Sequence, residues 1–114
     1  MLFRSYTSGG DKFHMCYGFD LHGLTGGAGA VRKAVEGFES VGKDSWICWA
    51  LSNHDVKRLV SRWGQEKHAD AFTAVALAML LSLRGSSCLY QGEELGLPEA
   101  DVPYEALQDP YGVT

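Results

Sequence analysis

Short apolar segments alternate with helical patterns along this chain, and that alternation limits its possible folds more than any other feature. The pattern predicts three strands at 13–19, 45–51 and 87–90, and three helices at 28–41, 56–63 and 69–84. The middle strand is apolar on both faces, which is typical of parallel sheets covered by helices. A strand–helix–strand–helix–strand order favours parallel pairing with right-handed crossovers. The sequence therefore predicts an α/β fold.

The predicted helices need more partners than three strands can provide. Apolar residues recur every three or four positions from Val31 to Val41, and Gly42 follows where a left-handed C-terminal cap belongs. The helix at 69–84 is almost wholly apolar, so it has to be packed on most sides. Three parallel strands would also leave two open edges and an uncovered face. We therefore expect the chain to be cut from a larger domain.

Composition excludes several classes of function. The 114 residues correspond to one small domain at most, and a hydrophobic content of 46% argues against disorder. The net charge is -4 and the basic residues are scattered, so we expect no nucleic-acid partner. The longest apolar stretch, 71–81, is shorter than the roughly 18 residues of a membrane span, and no apolar run follows Met1, so we expect neither a membrane span nor a signal peptide.

The cysteine pattern predicts neither a metal site nor disulfides. Cys16, Cys48 and Cys88 are an odd set at wide spacing, without a CxxC pair, so structural zinc is not expected. Each lies in an apolar run, where a reduced thiol behaves as a small hydrophobic side chain. Reduced thiols favour a cytoplasmic location.

The segment most suggestive of chemistry is Ser52-Asn53-His54-Asp55, directly after the middle strand. In barrels of alternating strands and helices, active sites assemble at this carboxyl end of the strands. A structural alternative is that Asn53 or Asp55 caps the following helix, since both residue types accept hydrogen bonds from free backbone N–H groups. His54 by itself is equally compatible with a hydrogen-bonded structural residue. Spacing alone leaves these alternatives open.

This motif resembles the end of the seventh barrel strand in the α-amylase family of glycoside hydrolases. Residues 6–20 resemble the sixth strand of its α-glucosidase and oligo-1,6-glucosidase branch. Residues 80–96 resemble the seventh helix with the eighth strand of that branch, and residues 106–112 resemble the loop that follows. The resemblance implies that residues 1–114 are a fragment of a (β/α)8 TIM-type barrel catalytic domain, covering strands six to eight with their helices.

The resemblance also implies roles for three residues. Asp55 matches the carboxylate that stabilises the transition state by binding the 2- and 3-hydroxyls of the sugar. His54 matches a residue that binds the same glucose unit. Phe19 lies where the family places an aromatic side chain near the acceptor side of the substrate. An alternative for Phe19 is a core residue that lines the barrel.

Two essential carboxylates of the family are missing from the matching segments. The nucleophile and the acid/base residue come from the fourth and fifth strands, whereas the resemblance begins at the sixth. Glu93 and Glu94 would point to opposite faces of an extended chain, so they do not form a catalytic pair. We assign no role to the remaining histidines, His14, His22 and His68. No metal or other cofactor is implied.

The resemblance implies an α-glucosidase that hydrolyses short α-glucoside oligosaccharides with retention of configuration. We expect the chain alone to be inactive, and molten or aggregated as a monomer, because a segment of this size buries little surface. Related sucrose or trehalose isomerases and transglycosylases are alternatives within the same fold. A non-catalytic module that self-associates is an alternative of a different class.

Overall fold

The computed structural model describes residues 2–24, 27–40 and 44–108. The helices are α1 (Leu2–Thr7), α2 (Ala28–Glu39), α3 (Leu59–Arg62) and α4 (Ala69–Ser82). The strands are β1 (Cys16–Gly18), β2 (Ile47–Ala50) and β3 (Ser86–Cys88). Two 3-10 turns lie at Glu66–His68 and Tyr104–Ala106. The predicted cap at Gly42 and the 109–112 part of the last loop lie outside the described residues.

The three strands form one parallel sheet in the order β1-β2-β3. Tyr17 is paired with Cys48 across β1 and β2, and Cys48 with Ser86 across β2 and β3. The structure thus confirms the predicted α/β class and parallel pairing. Because the strands are parallel, the residues that follow each of them lie at the same edge of the sheet.

The strands and the third helix are shorter than the sequence pattern predicts. Residues 13–15 lie outside β1, and the amide of Phe13 donates to the Tyr6 carbonyl of α1 at 3.0 Å instead of joining the sheet. The helix predicted at 56–63 begins only at Leu59, since Arg58 is extended and donates its amide to Glu99 Oε2 at 2.7 Å. Both differences arise from contacts with residues outside the predicted elements.

The central strand β2 is the core of the structure, and all four of its residues are buried. Trp49 is only 1% exposed. Its ring meets Phe38 of α2 edge to face with the centroids 5.5 Å apart, and its indole N–H donates to the Arg84 carbonyl at 3.0 Å. These contacts fix β2 between α2 and the end of α4, and they fix the position of the residues that follow β2.

Large apolar side chains remain exposed around this core. They include Val75 and Leu81 on α4, and a groove of about 590 Å³ runs between α2 and α4. The radius of gyration is 16.0 Å, whereas a compact domain of this length has about 13 Å. None of the helices in the described part of the chain combines the length and the hydrophobicity that a membrane crossing requires.

Candidate active site

Polar and aromatic side chains gather beyond the carboxyl ends of the three strands. Phe19 follows β1, the motif of residues 52–55 follows β2, and a turn at 91–96 follows β3. The parallel sheet brings these segments to one edge, which is where α/β folds place their functional groups. The candidate site is therefore built from the ends of the strands.

A tight turn presents His54 and Asp55 to solvent. The Asn53 side-chain oxygen accepts a hydrogen bond from the Asp55 amide at 2.9 Å, which is the geometry of an Asx turn. His54 Nε2 lies 3.2 Å from Asp55 Oδ1, and the two side chains are 80% and 69% exposed. The pair is therefore ordered by the turn and accessible to a ligand.

The helix-capping alternative does not hold for this motif. Helix α3 begins at Leu59, its N-cap is Arg58, and no side chain caps it. The Asn53 side chain instead accepts the hydrogen bond that forms the turn, and the Asp55 side chain contacts the neighbouring His54. The short backbone segment between the turn and α3 separates both residues from the helix, which leaves the Asp55 carboxylate available for another partner.

Phe19 is 64% exposed, so in this structure it does not line the core. Its ring packs edge to face on Tyr17 and on His22, with centroid separations of 5.1 and 5.3 Å. His22 is buried, and burial lowers its pKa; the charge of Arg62 adds to the decrease, while Asp55 opposes it. The loop after β1 therefore lies within electrostatic range of the turn after β2.

Close to the exposed pair lies a group of polar residues that we call the inner polar cluster: the buried His22, Ser52 and Glu93 and the half-buried Arg62. Glu93 is only 5% exposed and accepts a long hydrogen bond of 3.4 Å from the Tyr90 amide. Burial is the main cause that raises the pKa of the Glu93 carboxyl, and the nearby Ser52 hydroxyl and the Arg62 charge oppose it. The cluster is thus electrostatically coupled.

Each member of the inner polar cluster has one buried atom without a hydrogen bond of good geometry within the described part of the chain: His22 Nε2, Ser52 Oγ, Arg62 Nε and Glu93 Oε1. An unpaired buried polar group costs about 1–3 kcal/mol. The Ser52 hydroxyl lies close enough to stabilise the Glu93 carboxylate, so the four atoms are not four independent unpaired groups. No sequence pattern predicts this cluster, because its residues come from separate elements and share no spacing.

The described residues offer no metal centre. Within 2–24, 27–40 and 44–108, no three His, Cys, Asp or Glu side chains come together in a group that could hold a metal ion. The cysteines at 16, 48 and 88 are free thiols.

Known proteins are similar to this chain in sequence and in structure. Residues 28–113 match the model of the α-amylase catalytic domain. A probable α-glucosidase of Rhizobium meliloti (strain 1021) is 50% identical over 113 residues, which is 95% of this chain and 20% of the relative. An oligo-1,6-glucosidase of Heyndrickxia coagulans is 42% identical over 65 residues, 56% of this chain and 12% of the relative.

A solved structure agrees with these matches. The α-glucosyl transfer enzyme XgtA superimposes with a TM-score of 0.88 at 49% identity, covering 98% of this chain and 21% of that protein. The chain spans 20% of the length of the Rhizobium meliloti relative. What it shares with these proteins is thus one segment of a much longer polypeptide.

Proposed function

Because this chain belongs to the α-amylase catalytic-domain family, we propose that it is part of an α-glucosidase that hydrolyses short α-glucoside oligosaccharides with retention of configuration. The observation that carries the proposal is the exposed His54–Asp55 pair at the carboxyl end of β2. The names of the relatives, α-glucosidase and oligo-1,6-glucosidase, support this substrate class. In the proposal, β1, β2 and β3 are strands six to eight of a (β/α)8 barrel.

Asp55 is the catalytic residue that this chain contributes. Its carboxylate accepts hydrogen bonds from the 2- and 3-hydroxyls of the bound glucose, and these bonds strengthen as positive charge develops at the anomeric carbon. His54 binds the same sugar, and its contact of 3.2 Å with Asp55 orients the carboxylate. Phe19, exposed beyond β1, contacts the acceptor side of the substrate.

The other two carboxylates come from strands four and five of the intact barrel. One attacks the anomeric carbon to form a glucosyl-enzyme, and the other first protonates the leaving oxygen and then activates water. In retaining enzymes these two groups are about 5–5.5 Å apart. The proposal places the protein in the cytoplasm, supported by its three free thiols.

The proposal is tested with a chimera, in which this chain replaces the matched segment of the Rhizobium meliloti relative. We expect the chimera to hydrolyse p-nitrophenyl α-glucoside with kcat/KM within about tenfold of the parent, since apolar cores tolerate substitutions that preserve volume. The β-anomer should not react. The purified chain alone should release no p-nitrophenol.

Two results would contradict the proposal. A folded chimera without activity, beside an active parent, would favour a non-catalytic module, especially if the chain alone forms a defined oligomer. Hydrolysis by the chain alone that Asp55→Asn abolishes would show that carboxylates within residues 1–114 perform the whole reaction. The Asp55→Asn chain is the matched control, because the substitution removes one exposed charge and leaves the core untouched.

Glucosyl transfer is a second candidate, favoured by the name of the superimposed structure, an α-glucosyl transfer enzyme. Hydrolysis and transfer share the glucosyl-enzyme intermediate and differ in whether water or a sugar hydroxyl accepts the glucosyl group. Chromatography of the products that the chimera forms from concentrated maltose separates the two. Glucose as the main product supports hydrolysis, trisaccharides support transfer, and rearranged disaccharides support an isomerase.

A further inference from the structure

The Arg62 side chain spans the segment that carries His54 and Asp55. Arg62 Nη2 donates to the Leu51 carbonyl at 2.7 Å, and Nη1 donates to the Lys57 carbonyl at 3.1 Å. Leu51 is buried directly after β2, and Lys57 comes two residues after Asp55. A single guanidinium therefore holds both ends of the loop between β2 and α3.

The packing of α3 and the nearby Glu93 carboxyl also restrain the Arg62 side chain. Arg62 is the last residue of α3, whose Leu59 and Val60 are buried in the core. Its Nε atom is buried, and the Glu93 carboxyl lies close enough for the two groups to influence each other electrostatically. The planar fork of an arginine can bind two carbonyl groups in fixed directions, which a lysine ammonium cannot do.

Asp55 depends on this support more than a packed residue would. Its side chain is largely exposed, and the contacts that order it within the described residues are local ones to Asn53 and His54. The position of the carboxylate is therefore set by the backbone of the loop, which Arg62 holds at both ends. A displacement of about 1 Å at a reacting site can cost about a hundredfold in rate.

We propose that Arg62 is a positioning residue, which holds the loop at 52–56 so that Asp55 meets the sugar in the transition state. This inference rests on the proposed function of Asp55. Arg62 acts on Asp55 through its bonds to the Leu51 and Lys57 carbonyls. Its loss should therefore lower kcat more than it raises KM.

The test measures kcat and KM of chimera variants at a temperature at which circular dichroism shows each to be folded. Arg62→Met keeps the aliphatic stem and removes both hydrogen bonds, and we expect it to lower kcat about a hundredfold with KM within about threefold of wild type. Arg62→Lys keeps the charge but cannot bridge both carbonyls, and should lower kcat about tenfold.

Arg84→Met is the matched control. Arg84 also bonds a carbonyl in the segment around β2, but at the opposite end, where Nη1 donates to Ser45 at 3.3 Å. It also pairs with Glu39 at 3.1 Å. Its loss should lower the thermal midpoint and leave kcat within about twofold of wild type, since it lies away from the site.

The outcomes separate this inference from the function on which it rests. Equal kcat values for Arg62→Met and Arg84→Met would overturn the inference. If Arg62→Met does not fold, Arg62→Lys decides, and an unchanged kcat for that variant would overturn it. Activity that survives Asp55→Asn would instead overturn the proposed function. An inactive Asp55→Asn beside fully active Arg62 variants would overturn the positioning role alone.

Discussion

Asp55→Asn should lower kcat of the chimera on p-nitrophenyl α-glucoside by about a thousandfold. Hydrogen bonds from the sugar hydroxyls that tighten in the transition state are worth several kcal/mol, and about 4 kcal/mol corresponds to this factor. The asparagine keeps the size of the side chain but removes its negative charge. The positive charge that develops at the anomeric carbon is then no longer stabilised by a carboxylate at this position. Because Asp55 is exposed, the fold should not change.

The matched control for this prediction is Asp44→Asn. Asp44 is an exposed aspartate that precedes β2, at the end of the sheet opposite the motif. Removing its charge should leave kcat and KM unchanged. A kcat for Asp55→Asn within about tenfold of wild type would mean that Asp55 is not a catalytic residue.

The largest loss of stability should follow Trp49→Ala. Trp49 is 1% exposed at the centre of β2. The substitution removes the edge-to-face contact with Phe38 and the hydrogen bond to the Arg84 carbonyl, and it leaves a cavity. Truncation of a buried tryptophan costs about 3–5 kcal/mol. We expect a loss of this size in the free energy of unfolding of the chimera, seen as a lower thermal midpoint.

Trp46→Ala serves as the comparison, because Trp46 lies three residues away and is 43% exposed. It loses a hydrogen bond from its indole N–H to Ser86 Oγ and a contact with the Arg84 guanidinium, worth together about 1 kcal/mol at a partly exposed site. If both variants lower the midpoint equally, Trp49 does not anchor the core.

The sheet could be predicted from local patterns, because its residues carry their own signal. The apolar run of β2 predicts a strand buried on both faces, and all four of its residues are buried. The polar motif after this run predicts functional groups at the carboxyl end of the strand; His54 and Asp55 are exposed there, and their function stays a prediction. In both cases the signal lies within a few consecutive residues.

Features set by contacts with residues outside a predicted element could not be predicted. Helix α3 is short because Glu99 accepts the Arg58 amide across 41 positions of sequence. Helix α1 was not predicted. Its Tyr6 carbonyl accepts a hydrogen bond from the Phe13 amide, which therefore does not join the sheet. No pattern confined to residues 56–63 or 13–19 contains these partners.

The inner polar cluster was missed for the same reason. Glu93 was expected in an extended segment, but its amide donates to the Tyr90 carbonyl at 2.8 Å, which forms a turn that carries the carboxyl inward. His22 and Arg62 reach the same place from other elements. Their proximity is a property of the parallel sheet, which gathers the ends of its strands.

The most direct test of the account is a crystal structure of the chimera with glucose in its active site. We expect an Asp55 carboxylate oxygen about 2.5–3.0 Å from the oxygen of the glucose 2- or 3-hydroxyl, the range of an O–H···O hydrogen bond. His54 should contact the same sugar. Glucose bound with both hydroxyls against other residues, and with Asp55 beyond about 3.5 Å of them, would contradict the central claim.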